Sequence, residues 1–303
     1  MIKLPPGVDI NNLIDDLKHF SWEASDILLK YAQIIKDSNN KSNILTNKNE
    51  RDPVTIADLK VNEMMIKNIT ESYKNINWEI LSEENVKIDL KNRRINKDFV
   101  WILDPLDGTK DFIQGSGNYA MHLALNYKNK SYLGIVLIPD KDELWITNYD
   151  KSWCENRKKD YKKPNLLLKK NLKDMTIVTS KNHRNQTLQK LIKKVNFKNV
   201  IEMGSIGCKI ASILRGESDI YICLSLPGES SPKDWDFAAP AAVLKAAGGA
   251  ITNLNNEELI YGNYSFHQGG IIIASSNSNN HEKICIEIKE IINKFDLYPF
   301  DIN

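Results

Sequence analysis

Apolar residues recur at Ile10, Leu13, Ile14, Leu17, Ala24, Ile27, Leu28, Tyr31 and Ile35, a three-and-four spacing that predicts an amphipathic helix over residues 10–35. A second helical stripe, with Ile56, Leu59, Met64, Met65 and Ile69 inward, predicts a helix over 55–73. Between them, residues 36–53 are polar, rich in Asn and Lys, and close on Asp52-Pro53. They read as a surface loop long enough to act as a lid. The period then changes. Residues 78–81 read as a short strand, 86–97 as a polar connection, and 99–103, 119–127, 132–138 and 143–147 as a meander of strands.

Residues 150–173 are basic and irregular, with Lys158, Lys159, Lys162 and Lys163, and mark a boundary between domains 1–149 and 150–303. Beyond it the pattern alternates. Strands at 176–180, 200–203 and 219–223 are separated by helices at 186–195 and 206–215. A Gly/Ser/Pro loop over 226–233 leads to an Ala-rich helix that Gly248-Gly249 stops, and strands 250–254 and 270–274 and a helix near 280–293 follow. The fold class is therefore α/β, with an α+β first half and an α/β second half.

A chain of 303 residues can bury a sizeable core. A net charge of +2 gives no field for nucleic acid, so no stable nucleic-acid partner is expected. No apolar run reaches the roughly 20 residues that span a bilayer, and the first residues lack the apolar core of a secretion signal. No membrane insertion and a cytoplasmic location are expected; monomer and homodimer both stay open. Cys154, Cys208, Cys223 and Cys285 have no paired spacing, which fits neither a zinc knuckle nor a disulfide framework.

The candidate chemistry lies at 100–111, Val-Trp-Ile-Leu-Asp-Pro-Leu-Asp-Gly-Thr-Lys-Asp. An apolar strand ends on Asp104 and turns at once onto Asp107. Two carboxylates aimed at one point repel unless a cation sits between them. Mg²⁺, which takes a few carboxylates plus waters and substrate phosphate, is the natural occupant. Gly108 and Thr109 then offer backbone N–H groups and a hydroxyl to an anion. Metal beside an anion cradle suggests a metal-assisted phosphatase.

Other acids fall at element ends, each with a plain structural use. Asp58 stands three residues after Thr55, a capping-box spacing; Asp236 suits an N-cap; Glu83-Glu84 suits a solvated turn. In the Asp-Pro-Leu-Asp-Gly-Thr run a tight turn could use Asp-Pro and Asp-Gly, but it would not need the anion-binding sequel, and an acid directly after Val-Trp-Ile-Leu is poorly explained by structure alone.

Four ordered blocks resemble the Mg²⁺-dependent, lithium-sensitive phosphatases of the inositol monophosphatase superfamily, over roughly residues 20–275. They are Asp-Pro-Val-Thr-Ile-Ala-Asp at 52–58, Ser-Glu-Glu at 82–84, Trp-Ile-Leu-Asp-Pro-Leu-Asp-Gly-Thr at 101–109, and Trp-Asp-Phe-Ala-Ala-Pro with Ala-Gly-Gly at 235–249. The resemblance implies a layered αβαβα sandwich of the inositol monophosphatase and fructose-1,6-bisphosphatase type, and two or three Mg²⁺ ions. It makes Glu83, Asp104, Asp107 and Asp236 side-chain metal ligands, with the Leu106 carbonyl completing one shell. Gly108 and Thr109 hold the scissile phosphate, Asp236 also faces substrate, and Asp58 with Thr109 orients and deprotonates the attacking water, the catalytic set including Glu83. Two divalent ions about 4 Å apart can stabilise both the attacking and the leaving oxygen of an in-line displacement.

Within the superfamily, Asp-Gly-Thr-Lys-Asp-Phe at 107–112 looks like the 3'(2'),5'-bisphosphate nucleotidases. Lys110 marks that branch. His183 resembles a nucleoside contact, Ser205 and Lys209 lie in a Gly-Ser…Lys block that holds phosphate and sugar, and Lys233 precedes the Trp-Asp motif in the bacterial manner. The implied substrate is 3'-phosphoadenosine 5'-phosphate, with 3'-phosphoadenosine 5'-phosphosulfate as a second. Asp111 stands where many relatives have Glu, and Tyr-Ala-Met-His at 119–122 departs from the usual pattern after the metal loop. An inositol or sugar-phosphate phosphatase on the same fold is the nearest alternative; a non-catalytic nucleotide- or RNA-binding regulator is the alternative of another class.

Overall fold

The computed structural model describes residues 4–37, 45–47, 54–88, 97–167, 169–182, 184–263 and 265–299. In chain order the elements are α1 (Ile10–Asp37), β1 (Leu45–Asn47), β2 (Val54–Thr55), α2 (Ile56–Ser72), β3 (Glu79–Ser82), α3 (Glu83–Ile88), β4 (Phe99–Asp107), α4 (Thr109–Gln114), β5 (Ala120–Tyr127), β6 (Lys130–Ile138), β7 (Glu143–Thr147), β8 (Ser152–Glu155) and β9 (Tyr161–Lys162). Then come β10 (Thr176–Ser180), α5 (Gln186–Val195), β11 (Asn199–Met203), α6 (Ile206–Leu214), β12 (Ile220–Ser225), α7 (Asp234–Ala246), β13 (Ala250–Asn253), β14 (Gly270–Ser275) and α8 (Ser278–Lys294).

Two sheets carry the fold. The first runs β3-β4-β5-β6-β7-β8-β9, with β3 parallel to β4 and the rest antiparallel. The second runs β11-β10-β12-β14-β13, with β10 parallel to both neighbours and β14 antiparallel to both of its own. Strand side chains alternate between faces, and each sheet is apolar on both. On β5, Met121, Leu123 and Leu125 join α1 and α2 in one core, while Ala120 and Ala124 face α6 and α7 in another. On β14, Ile272 and Ala274 face α6 and α7, while Ile271 and Ile273 face α5 and α8. The stack is helix, sheet, helix, sheet, helix: the expected αβαβα sandwich.

The central helix layer approaches the first sheet closely because the contact residues are small. A Cβ on Gly134 of β6 would stand 2.7 Å from the Ala239 carbonyl oxygen and 2.8 Å from the Ala242 Cβ. The run Ala238, Ala239, Ala241 and Ala242 in α7 serves the same contact. This seats the N-terminus of α7 over the strands that carry the acidic motif.

Three sequence expectations change, and two segments go largely undescribed. The 150–173 segment is not wholly irregular: β8 and β9 extend the first sheet to Lys162, where paired edges satisfy backbone groups that a loop would leave to water. Residues 86–88 belong to α3 rather than to a connection. The 36–53 loop and the rest of 86–97 lie largely outside the described residues. The inward stripe of α2 is Ala57, Val61, Met65 and Ile69, and Leu59 is 39% exposed. It sits two residues off that stripe, about 200° around the helix.

Candidate active site

β4 does not stop at the first acid. It continues to Asp107 and keeps pairing with β5, with Asp104 opposite His122 and Asp107 opposite Ala120 and an irregularity between them. A bulge of this kind re-aims side chains without ending the sheet and accommodates the Pro105 ring. Asp104 Oδ1 accepts the Leu106 N–H at 3.1 Å, which holds the turn. The parallel β3–β4 register sets Ser82 beside Leu103, so Glu83, the next residue, falls beside Asp104 in hydrogen-bonding contact. Glu83 and Glu84 are the first turn of α3 rather than a solvated turn. Glu84 is buried, and Lys87 Nζ lies 3.0 Å from Glu83 and 3.2 Å from Glu84.

Asp236 comes from the far half of the chain. It is the third residue of α7, not its N-cap; its Oδ2 accepts the N–H of Lys233, which occupies that place, at 2.6 Å. Carboxylate oxygens of Asp104, Asp107 and Asp236 all lie within 4.8 Å of one another. Burial raises the pKa of Asp104 well above the carboxylate range, and the charges of Glu83, Asp107 and Asp236 add to it. Asp236 is raised in the same way, by burial and then by Asp107 and Glu83. Glu83 is pushed up to about 7 by burial, against the pull of Lys87. Buried like-charged oxygen donors facing one point are what a hard divalent cation requires, so the residues fit the expected ion.

Asp58 serves two ends at once. Its Oδ2 accepts the Thr55 N–H at 2.9 Å and the Thr55 hydroxyl, completing the capping box at the start of α2. Its Oδ1 lies 3.5 Å from the Thr109 hydroxyl, which also reaches the Leu106 carbonyl at 3.1 Å. Burial pushes the Asp58 carboxyl up to about 8, with Glu84 and Glu83 adding and Thr55 opposing. The capping reading and the catalytic reading therefore describe the same carboxylate.

Gly108 supplies the turn that places Thr109. Its φ is +85°, and a Cβ there would meet the Asn118 carbonyl oxygen at 2.9 Å and the Ser205 nitrogen at 3.1 Å. The Gly204-Ser205 turn thus lies against the motif. Ser205 has a φ of +47°, a region that non-glycine residues rarely occupy. It is fixed there by its hydroxyl, which donates to Asp107 Oδ2 at 2.7 Å and accepts from the Cys208 N–H at 3.1 Å. The same Asp107 oxygen accepts the N–H of Ile206 and, at 3.2 Å, of Gly207. Asp107 accordingly ties the first sheet to the start of α6.

The remaining expected residues divide by position. Lys209 lies beneath this turn, 3% exposed. Its ammonium donates to the Ser205 carbonyl at 3.1 Å and stands 5.4 Å from the Tyr221 ring centre. Burial lowers its pKa. Lys233 is at the rim, with Nζ 2.5 Å from His267 Nε2, and the Ser231 hydroxyl 2.7 Å from His267 Nδ1. Lys110 follows Thr109 in the first turn of α4 and is partly exposed. His183 lies outside the described residues. Asp111 is buried and accepts from Ser116 and from Asn182, each at 2.6 Å, which makes it a brace for the loop after the motif. Residue-type reasoning passed over two histidines, His267 beside Lys233 and His122 beside Asp107. For His122 the one available signal was the departure at 119–122.

Fold and site together define a metal-assisted phosphatase. The inositol monophosphatase family profile matches residues 12–293, and the chain belongs to that family. A 3'(2'),5'-bisphosphate nucleotidase CysQ of Buchnera aphidicola is 30% identical over 216 residues, 71% of this chain and 76% of that one. The Nus factor SuhB of Pasteurella multocida is 27% identical over 258 residues, 82% and 84% of the two chains. Among solved structures, the Thermotoga maritima IMPase superposes with a TM-score of 0.71 at 20% identity, covering 93% of this chain and 99% of that one. Among the described residues no helix is long and apolar enough to cross a membrane.

Proposed function

We propose that this chain is a Mg²⁺-dependent 3'(2'),5'-bisphosphate nucleotidase that converts 3'-phosphoadenosine 5'-phosphate to AMP and phosphate, with 3'-phosphoadenosine 5'-phosphosulfate as a second substrate. The observation that carries the reading is the convergence of Asp104, Asp107 and Asp236 beside the Thr109–Asp58 pair. The similarity to a nucleotidase named CysQ supports the choice of substrate.

Glu83, Asp104, Asp107, Asp236 and the Leu106 carbonyl would hold two or three Mg²⁺, which supply neutralisation of the phosphoryl charge and activation of water. The protein's own groups do the rest. Gly108 and Thr109 bind the scissile phosphate. The Thr109 hydroxyl takes a proton from the attacking water as it passes its own to Asp58 Oδ1. A carboxylate with raised proton affinity suits that task. The new P–O bond forms on the water oxygen as the P–O3' bond breaks, and the 3'-oxygen leaves with a proton from solvent. Lys233, with His267, is a cationic rim for a second phosphate. Lys209 and Ser205 hold the turn below. Li⁺ competes for a Mg²⁺ position, and the enzyme works in the cytoplasm.

The test is phosphate release with Mg²⁺ from 3'-phosphoadenosine 5'-phosphate, inositol 1-phosphate and fructose 1,6-bisphosphate, with and without Li⁺. The nucleotide is expected to win by kcat/KM. Preference for inositol or sugar phosphate overturns the substrate and leaves the metal site standing. Mg²⁺-independent nucleotide binding without phosphate release assigns the chain to the binding class.

A further inference from the structure

His122 is fully buried on β5, and two of the segments that bear the acids, β4 and the start of α7, converge on it. Asp104 is its cross-strand partner on β4. Directly opposed residues in an antiparallel pair project to the same face, so the imidazole and the Asp104 carboxyl share the inner side of the sheet. His122 Nε2 lies 3.4 Å from Asp107 Oδ2, and His122 Nδ1 lies 3.3 Å from the carbonyl oxygen of Trp235, the residue before Asp236. The ring therefore spans from one acid's side chain to the backbone that positions another.

The surroundings are shaped for that ring. Gly207, in the first turn of α6, has no side chain where the imidazole lies; a Cβ there would stand 2.2 Å from His122 Nε2 and 2.8 Å from Val136 Cγ1. Nε2 is buried and makes no hydrogen bond of good geometry. A buried ring nitrogen aimed at a carboxylate oxygen, in a slot cleared by glycine, calls for an explanation in terms of that carboxylate. Apolar packing alone does not supply one, since leucine or valine would fill such a slot with no polar atom to satisfy.

We propose that His122 is a positioning residue for the metal site: it fixes the Asp107 carboxylate against the Trp235–Asp236 turn and so sets the spacing of the two acids. Asp107 Oδ2 accepts from Ser205, Ile206 and Gly207 on one side, and on the other the His122 ring, whose Nδ1–H donates to the Trp235 carbonyl, stands against it with Nε2 at 3.4 Å. Groups that orient a ligand from behind typically change metal affinity ten- to a hundredfold when removed. The inference rests on the metal-site reading of the acids, and it adds a determinant that comes from β5 rather than from any acidic block.

The experiment measures Mg²⁺ binding to purified full-length protein by calorimetry, and in parallel the rise in Tm on adding Mg²⁺. The variants are His122→Phe, which keeps the bulk and loses the nitrogens, and His122→Gln, which keeps a polar end. Asp104→Asn is the control for the site itself. Wild type is expected to bind Mg²⁺ and Asp104→Asn to lose it. His122→Phe should bind about ten- to a hundredfold more weakly, with much of its kcat restored at high Mg²⁺. His122→Gln should stay within a few-fold of wild type. Equal binding by His122→Phe and wild type overturns the role of His122 while leaving the metal site intact. A His122→Gln variant that folds, as judged by its metal-free Tm, and yet loses binding tenfold or more also overturns it, and this holds if the Phe variant fails to fold. Absence of Mg²⁺ binding in wild type overturns the metal reading itself.

Discussion

The Thr109 hydroxyl lies 3.5 Å from Asp58 Oδ1 and 3.1 Å from the Leu106 carbonyl. It has one proton and two acceptors, and the shorter contact is to the carbonyl. Once the Leu106 oxygen is engaged elsewhere, the hydroxyl's remaining partner of the two is Asp58. The contact thus joins the cap of α2 and a strand-end turn that are 51 residues apart in sequence.

Thr109→Val tests the relay. Valine has the shape and lacks the hydroxyl, so kcat should fall about 10²- to 10⁴-fold, the range for general acid–base catalysis. KM should change far less, and Thr109→Ser should recover much of the rate. Steady-state kinetics at saturating Mg²⁺ decide it; a Val variant with near-normal kcat removes Thr109 from proton transfer.

Asp104→Asn should move stability and activity in opposite directions. Crowded buried carboxyls raise one another's pKa, which is a cost borne by the metal-free fold. Replacing one by a neutral amide is expected to stabilise the metal-free protein by about 1 kcal/mol, as substitutions at strained functional sites often do. Mg²⁺-dependent hydrolysis should be lost. Thermal melts in EDTA, beside phosphate release, check both; a lower metal-free Tm would contradict the crowding argument.

Gly134→Ala acts at a distance from the acids. The added methyl would lie 2.7 Å from the Ala239 carbonyl oxygen, so α7 must move off the first sheet. Overpacking of this kind costs roughly 1–3 kcal/mol. Because α7 carries Asp236, Mg²⁺ affinity should fall with stability. Denaturant melts and Mg²⁺ titration read the two, and a loss of stability with unchanged Mg²⁺ affinity would uncouple the packing from the site.

His281 makes a pH prediction. It is buried on α8 with Nδ1 2.7 Å from the Ser275 hydroxyl and Nε2 2.8 Å from the Thr252 hydroxyl, and burial lowers its pKa from 6.5 to about 4. Between those values the unfolded chain binds the proton and the folded one does not. The contribution is therefore present above about pH 6.5 and is lost as pH falls toward 4, at most about 3 kcal/mol at 1.36 kcal/mol per pKa unit. His281→Asn should show a shallower loss of stability than wild type across that window. Parallel curves for the two proteins would show that His281 does not contribute.

Element order and type in the second half were legible because each strand is a short apolar run and each helix has a three-and-four stripe, with α5, α6, α7 and α8 close to their expected ranges. The acids were legible because Asp104 and Asp107 interrupt an apolar strand, a placement that packing does not favour. β8 and β9 were not legible. Tyr161-Lys162 is two exposed residues whose strand state depends on the neighbour they pair with. Leu59 was misplaced because α2 has a weak apolar stripe, leaving its rotation to packing on α1 and β4.

The sequence by itself determined which residues can bind a cation, where each acid sits relative to its nearest turn, and the resemblance that joins the blocks, since these are properties of local order along the chain. Only the tertiary structure decided that Glu83 meets Asp104 through a parallel register, that Asp236 arrives through the close α7–β6 contact, that Lys209 is buried under Ser205, and that His122 stands between Asp107 and Trp235. Those relationships join residues far apart in sequence. Register, helix approach and burial set them, and no local pattern encodes these distances.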